Sequence, residues 1–133
     1  MAKKIVNGLE VAAIQGMVDA VKKQPQVAQA KFYATTLWKS GFYNEASVKD
    51  FSLGGVMNTT SRAKPFIVPE DHPPELLGTN KGASSVEVLL AALGHCIASG
   101  FATFGAAMNI PIGSLTVELE GDIDLQGMLG LPE

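Results

Sequence analysis

The run Ser84-Ser85-Val86-Glu87-Val88-Leu89-Leu90-Ala91-Ala92-Leu93-Gly94-His95-Cys96-Ile97-Ala98-Ser99-Gly100 decides the fold. Ser84 or Ser85 can cap a helix here, and Glu87 in its first turns favours the helix dipole. The apolar pattern continues to residue 108 or 109, and Pro111 and Gly113 end it. That is about 25 residues, or about 37 Å at 1.5 Å per residue. No Lys, Arg, Asp or Glu lies between Glu87 and Glu118. A membrane span needs about 20 mostly apolar residues, and 88–108 has that length. Yet the run is rich in Ala, Gly, Ser and Thr, contains His95, and has no clear cationic flank. We therefore expect a buried central helix, one that subunits can share, and no membrane.

Working outward, residues 114–120 alternate: Leu115, Val117 and Leu119 on one face, Thr116, Glu118 and Glu120 on the other. This is the clearest half-buried strand in the chain. The tail after it, with Gly127, Gly130 and Pro132, is turn-like. The strand thus lacks a neighbour, and we expect either a shortened chain or a second subunit to supply one. Upstream, 69–85 carries Pro69, Pro73, Pro74, Gly78 and Gly82 and reads as a loop or cover. Residues 27–38 and 42–51 read as strands about a turn at Lys39-Ser40-Gly41. Leu53-Gly54-Gly55 breaks the second. A third strand is expected at 62–68, with Pro65 pushing it to an edge. The N-terminal helix is expected over 8–23, with Asn7 as cap and Glu10 completing a capping box. Lys22-Lys23 and Pro25 close it.

The chain has 133 residues, enough for one domain. Hydrophobic residues make up 47%, so a core can form and wholesale disorder is excluded. Charged residues are 17% and the net charge is −3, which argues against a large basic surface for nucleic acid. One cysteine excludes an intrachain disulfide and a multi-cysteine zinc site. The start Met-Ala-Lys-Lys precedes no hydrophobic run, so a cytoplasmic location is expected.

Cys96 is the candidate nucleophile. A reactive thiol needs a nearby cation or a helix N-terminus, and Cys96 sits well beyond the first helical turn. Its alternative is a small buried hydrophobe. His95 is adjacent but points about 100° away, so it is not automatically a base for Cys96. His72, in the proline-rich loop, is expected to face solvent or to cover a pocket. Glu87 lies nine residues before Cys96, about 180° around the helix and about 13.5 Å along it. Arg62 is the lone arginine. It could hold a thiolate or peroxide oxygen, or be a surface arginine on an edge strand. Asp122, Asp124, Gln126, Gly127 and Glu133 nearly match a calcium loop, but strand-like sequence precedes them and Pro132 interrupts, so a turn is expected. No metal and no cofactor are expected.

The helix run through Cys96 resembles the signature of the OsmC/Ohr superfamily. Leu77-Gly78-Thr79-Asn80-Lys81-Gly82, Asn109-Ile110-Pro111 and Val117-Glu118-Leu119-Glu120-Gly121-Asp122-Ile123-Asp124 continue the likeness, which is specific over about 69–131. The resemblance implies an α+β fold: a long central helix against antiparallel sheet, in an intertwined homodimer. It implies a family-like core over 27–124 of a single domain, 1–133, with the N-terminal helix added and the C-terminal part of the family fold missing. It also implies a thiol peroxidase: a peroxidatic cysteine, matching Cys96, attacks an organic hydroperoxide, aided by a glutamate like Glu87 and an arginine for which Arg62 is the candidate. Relatives resolve the sulfenic acid with a second cysteine. This chain has none, so an external thiol reductant would be needed. Three readings stand: a cysteine-based hydroperoxide reductase, a non-catalytic domain binding a small apolar ligand, and a dimeric structural domain with an inert cysteine.

Overall fold

The structure is a computed structural model that describes residues 3–132. The chain opens with a two-stranded ribbon, β1 (Ile5–Val6) and β2 (Leu9–Glu10), paired Ile5 to Glu10 and Val6 to Leu9. Asn7 and Gly8 turn it with φ of 52° and 77°. Asn-Gly supplies that double positive φ at low cost, as two-residue hairpin loops require. Helix α1 (Val11–Lys23) follows, with Lys22 and Lys23 in its last turn. It starts at Val11 rather than residue 8, and Asn7 does not cap it. The Asn7 side chain is turned to the C-terminal end of the long helix that follows the sheets.

A 3-10 turn (Pro25–Ala28) leads into six short strands: β3 (Ala30–Phe32), β4 (Thr35–Ser40), β5 (Tyr43–Val48), β6 (Phe51–Leu53), β7 (Val56–Asn58) and β8 (Phe66–Glu70). They form two antiparallel three-stranded sheets, β3-β6-β7 and β4-β5-β8. The strand expected over 27–38 is therefore two strands in different sheets, because the turn takes its start and the chain changes sheet between Phe32 and Thr35. Gly54 and Gly55, at φ of 55° and 81°, make the β6–β7 hairpin. Strand β7 was not expected. Strand β8 is an edge, as a proline-bearing strand should be, although Pro69 rather than Pro65 lies within it, opposite Glu45.

The long helix, α2 (Ser85–Ala107), is capped by Ser84. Asn109, at φ 60°, ends it: the Ile110 N–H returns to the Gly105 carbonyl at 2.7 Å. A left-handed Asn just past a helix satisfies carbonyls the helix leaves open. Asn7 reaches this end. Its Nδ2 donates to the carbonyls of Ala102 (3.3 Å) and Ile110 (3.0 Å), and its Oδ1 accepts from Ile112 N–H at 2.8 Å. The N-terminal turn is thereby pinned to the exit of α2.

Elements α1, β1 and β2 are the main packing partners of α2. Neither three-stranded sheet covers it: Ala106 is its one buried residue, while Leu89, Leu93, Phe101 and Phe104 are half or more exposed. The expectation of a buried central helix is thus not met within one chain. Helix α2 is long and apolar enough to cross a membrane by length and composition. Residues 114–120 form no strand pairing. Their alternation is nevertheless expressed: Leu115, Val117 and Leu119 line a cavity with the α2 residues Leu90, Gly94 and Ala98. The mixture of helices and antiparallel sheets is α+β.

The surface area is 10321 Å². A folded monomer of 13.9 kDa should expose about 6,700 Å². The excess of about 3,600 Å² is apolar in large part, since Leu37, Trp38, Val56, Phe66, Leu89 and Phe104 are each at least half exposed.

Candidate functional site

The glycine- and proline-rich segment between β8 and α2 closes around one carboxylate. Asp71 is 1% exposed. It accepts hydrogen bonds from the Thr79 hydroxyl (2.6 Å) and from the N–H groups of His72 (2.8 Å), Thr79 (3.1 Å) and Lys81 (3.2 Å). The Thr79 hydroxyl, then those N–H groups, hold its carboxyl below the usual aspartate range against the opposing effect of burial. The loop folds tightly enough that a Cβ at Gly78 would lie 1.8 Å from the His72 carbonyl oxygen, and one at Gly82 would lie 2.5 Å from that of Pro69. A parallel bridge from Glu70 to Ala83 completes the lead-in. This knot sets where α2 begins. Sequence reasoning missed Asp71; the paired Gly78 and Gly82 downstream of it were the available sign.

His72 does not face solvent. Its side chain is 12% exposed and its ring stacks on Phe42, with centroids 4.2 Å apart. Nε2 lies 3.5 Å from Glu70 Oε1, and Nδ1 is buried without a hydrogen-bond partner. Glu70 also accepts from Asn44, and Tyr43 donates to Glu45, which Lys39 pairs at 3.2 Å.

Glu87 is spent on the helix start. The Ser84 N–H and hydroxyl both donate to its Oε2, at 2.7 and 2.8 Å. Cys96 is a free, exposed thiol. It lines an apolar groove of about 330 Å³ with Ile97, Gly100, Phe101 and Phe104. His95 opens instead to the cavity beneath residues 115–119, as the 100° step along a helix requires. Arg62 is not on an edge strand. It precedes β8, donates from Nη1 to the Lys49 carbonyl (3.0 Å), and lies between two rings, 5.1 Å from Phe51 and 5.4 Å from Phe66. Cys96 and Glu87 line different cavities, and Arg62 lines neither of the two.

Among the described residues no group of three His, Cys, Asp or Glu side chains is placed to hold a metal ion. Glu133, the last position of the calcium-like spacing, lies outside the described residues. Asp124 caps the short helix α3 (Leu125–Met128), accepting from the Gln126 N–H at 2.9 Å.

An exposed thiol midway along an apolar helix, in an α+β chain with much apolar surface uncovered, defines a cysteine-bearing domain built around α2. Residues 78–132 match the family of OsmC-like proteins. The matched segment contains Glu87, His95 and Cys96 but not Arg62. No curated protein matches the chain.

Proposed function

We propose that the chain is one subunit of a homodimeric, cytoplasmic thiol peroxidase that reduces small apolar organic hydroperoxides through Cys96. The observation that carries this reading is the exposed Cys96 thiol at an all-apolar groove within the OsmC-like segment. An apolar wall suits the hydrocarbon part of a hydroperoxide. The Cys96 thiolate attacks the terminal peroxide oxygen. The S–O bond forms as the O–O bond breaks, sulfur gives up two electrons, and the alkoxide leaves as alcohol after taking a proton. Cys96 is left as a sulfenic acid. An external thiol then attacks that sulfur and displaces water. A second thiol opens the resulting mixed disulfide and restores Cys96. No charged residue of the same chain lines the Cys96 groove, so activation comes across the subunit boundary, with Arg62 and Glu87 of the second copy as the groups that meet Cys96.

The test is direct. Reduced protein is mixed with cumene hydroperoxide and the mass of the Cys96 peptide is followed. One added oxygen, trapped by a sulfenic-acid reagent, is expected. A thiol confirmed free that gains no adduct would overturn the reading.

A second reading follows from the same groove. Ile97, Phe101 and Phe104 bring no charge to Cys96, which suits a domain that binds a small apolar ligand without chemistry. Retention of ligand affinity and of cellular role by Cys96→Ala would favour it.

A further inference from the structure

Helix α2 carries three glycines, Gly94, Gly100 and Gly105. Glycine inside a helix is less favourable than alanine, so each needs a reason. Two have one in the packing. A Cβ at Gly94 would meet a Leu119 methyl carbon at 3.4 Å, and one at Gly105 would lie 2.7 Å from Asn7 Nδ2. At Gly100 the backbone is helical and a Cβ would meet nothing within 4 Å. Neither packing within the chain nor backbone conformation requires glycine there. What Gly100 does border is the Cys96 groove. Residues four apart on a helix are neighbours on one face, so the missing side chain is the one that would stand beside the thiol. Phe101 and Phe104 carry the groove on, to about 12 Å from Cys96 along the axis.

We propose that Gly100 is a specificity-determining residue: the room it leaves beside Cys96 takes hydroperoxides that are bulky at the carbon bearing the peroxide, the tertiary and aryl-alkyl ones. This rests on the thiol peroxidase reading of Cys96. Only the second peroxide oxygen stands between the oxygen that sulfur attacks and that carbon, so the carbon's substituents crowd the space around the thiol. A side chain at position 100 would compete for this space. Hydrogen there leaves it open, and Phe101 and Phe104 meet the rest of the hydrocarbon.

Gly100→Val and Gly100→Ala in the full chain test the inference. Both residues are better helix formers than glycine, and the added Cβ meets no neighbour in the chain, so both variants should fold, which circular dichroism checks. Rates of Cys96 oxidation by cumene hydroperoxide and by hydrogen peroxide are followed by mass. Gly100→Val should slow the cumene hydroperoxide reaction at least about tenfold and the hydrogen peroxide reaction by less than about twofold, with Gly100→Ala between it and the parent. No slowing, or equal slowing with both peroxides, would overturn the inference and leave the peroxidase reading standing. A parent thiol that neither peroxide oxidises would remove the peroxidase reading and this inference with it. Sedimentation decides the other use of a helix glycine: if Gly100→Val changes the assembly state of the parent, the glycine serves contact between helices of two copies and the inference falls.

Discussion

Ser84 and Glu87 hold each other at the start of α2: one carboxylate oxygen of Glu87 takes both the N–H and the hydroxyl of Ser84, at 2.7 and 2.8 Å. Two donors that the helix cannot satisfy internally are thereby covered. The Ser84 hydroxyl, and after it the N–H, hold the Glu87 carboxyl below the ordinary glutamate value of 4.5. A depressed carboxyl contributes stability above its unfolded pKa and loses it as pH falls through the folded one. Glu87→Ala should therefore lower the thermal midpoint by a few degrees at pH 7. The difference from the parent protein should shrink as the pH is taken below 4.5, which thermal melts at two pH values will show.

Asn7 joins the N-terminal turn to the exit of α2 with three hydrogen bonds from one side chain. Asn7→Ala leaves the Ile112 N–H and the Ile110 carbonyl without that partner. At about 1 kcal/mol per net bond, the expected loss is about 2–3 kcal/mol in urea unfolding. Gly105→Ala should destabilise the same joint from the other side, because its Cβ would lie 2.7 Å from Asn7 Nδ2.

Asp71 is the carboxylate on which the lead-in to α2 closes. Its pKa is held below 3.8, first by the Thr79 hydroxyl. The sign is that of Glu87: the contribution is present above about pH 3.8 and is lost as acid protonates the folded form. Urea midpoints should fall between pH 5 and pH 3 by more in the parent than in Asp71→Asn, which is less stable at neutral pH. Thr79→Val should move the parent's acid transition to higher pH.

Helix α2 was legible because its signals are local: a serine cap, an uncharged apolar run and a stop before Pro111. The separation of His95 from Cys96 followed from helical geometry alone. The face of residues 114–120 was legible too, but not its pairing, which requires a strand that this chain does not bring beside it. Asp71 was missed, Arg62 misread and His72 left between solvent and a pocket wall for one reason. Their environments are made by residues that only the fold brings near: Thr79 closing back on Asp71, Phe42 arriving over His72, and sheet pairing setting Phe51 and Phe66 about Arg62. Asn7 gave a local sign as part of an Asn-Gly turn, but its partner lies 105 residues away.

Arg62 has a structural duty that can be separated from a chemical one. Lysine keeps the charge but loses the flat guanidinium that lies against two rings. Each such contact is worth about 0.5–1 kcal/mol at an exposed site. Arg62→Lys should therefore cost about 1 kcal/mol in chemical unfolding. If Arg62 meets Cys96 across the dimer, the variant should also shift the pH profile of Cys96 alkylation upward in the assembled protein. An unchanged profile would leave Arg62 with its clamp alone.

The uncovered surface sets the last expectation. About 3,600 Å² per chain beyond what a folded monomer of this mass exposes is more than the about 1,000–2,500 Å² per partner that obligate interfaces of about 2,000–5,000 Å² in total bury. At about 25 cal/mol per Å², leaving so much largely apolar area in water opposes a free monomer strongly. Leu93 and Phe104 stand on the exposed part of α2, 50% and 71% exposed. A charge at either position would be stranded in an interface but tolerated on a free surface. Sedimentation should show a dimer at micromolar concentration for the parent chain. Phe104→Glu should give monomer or aggregate, and a lysine on the already polar face, as in Glu118→Lys, should leave the dimer intact. A parent chain that sediments as a folded monomer with the helix content of α1 and α2 would remove the dimer and, with it, the cross-subunit activation of Cys96.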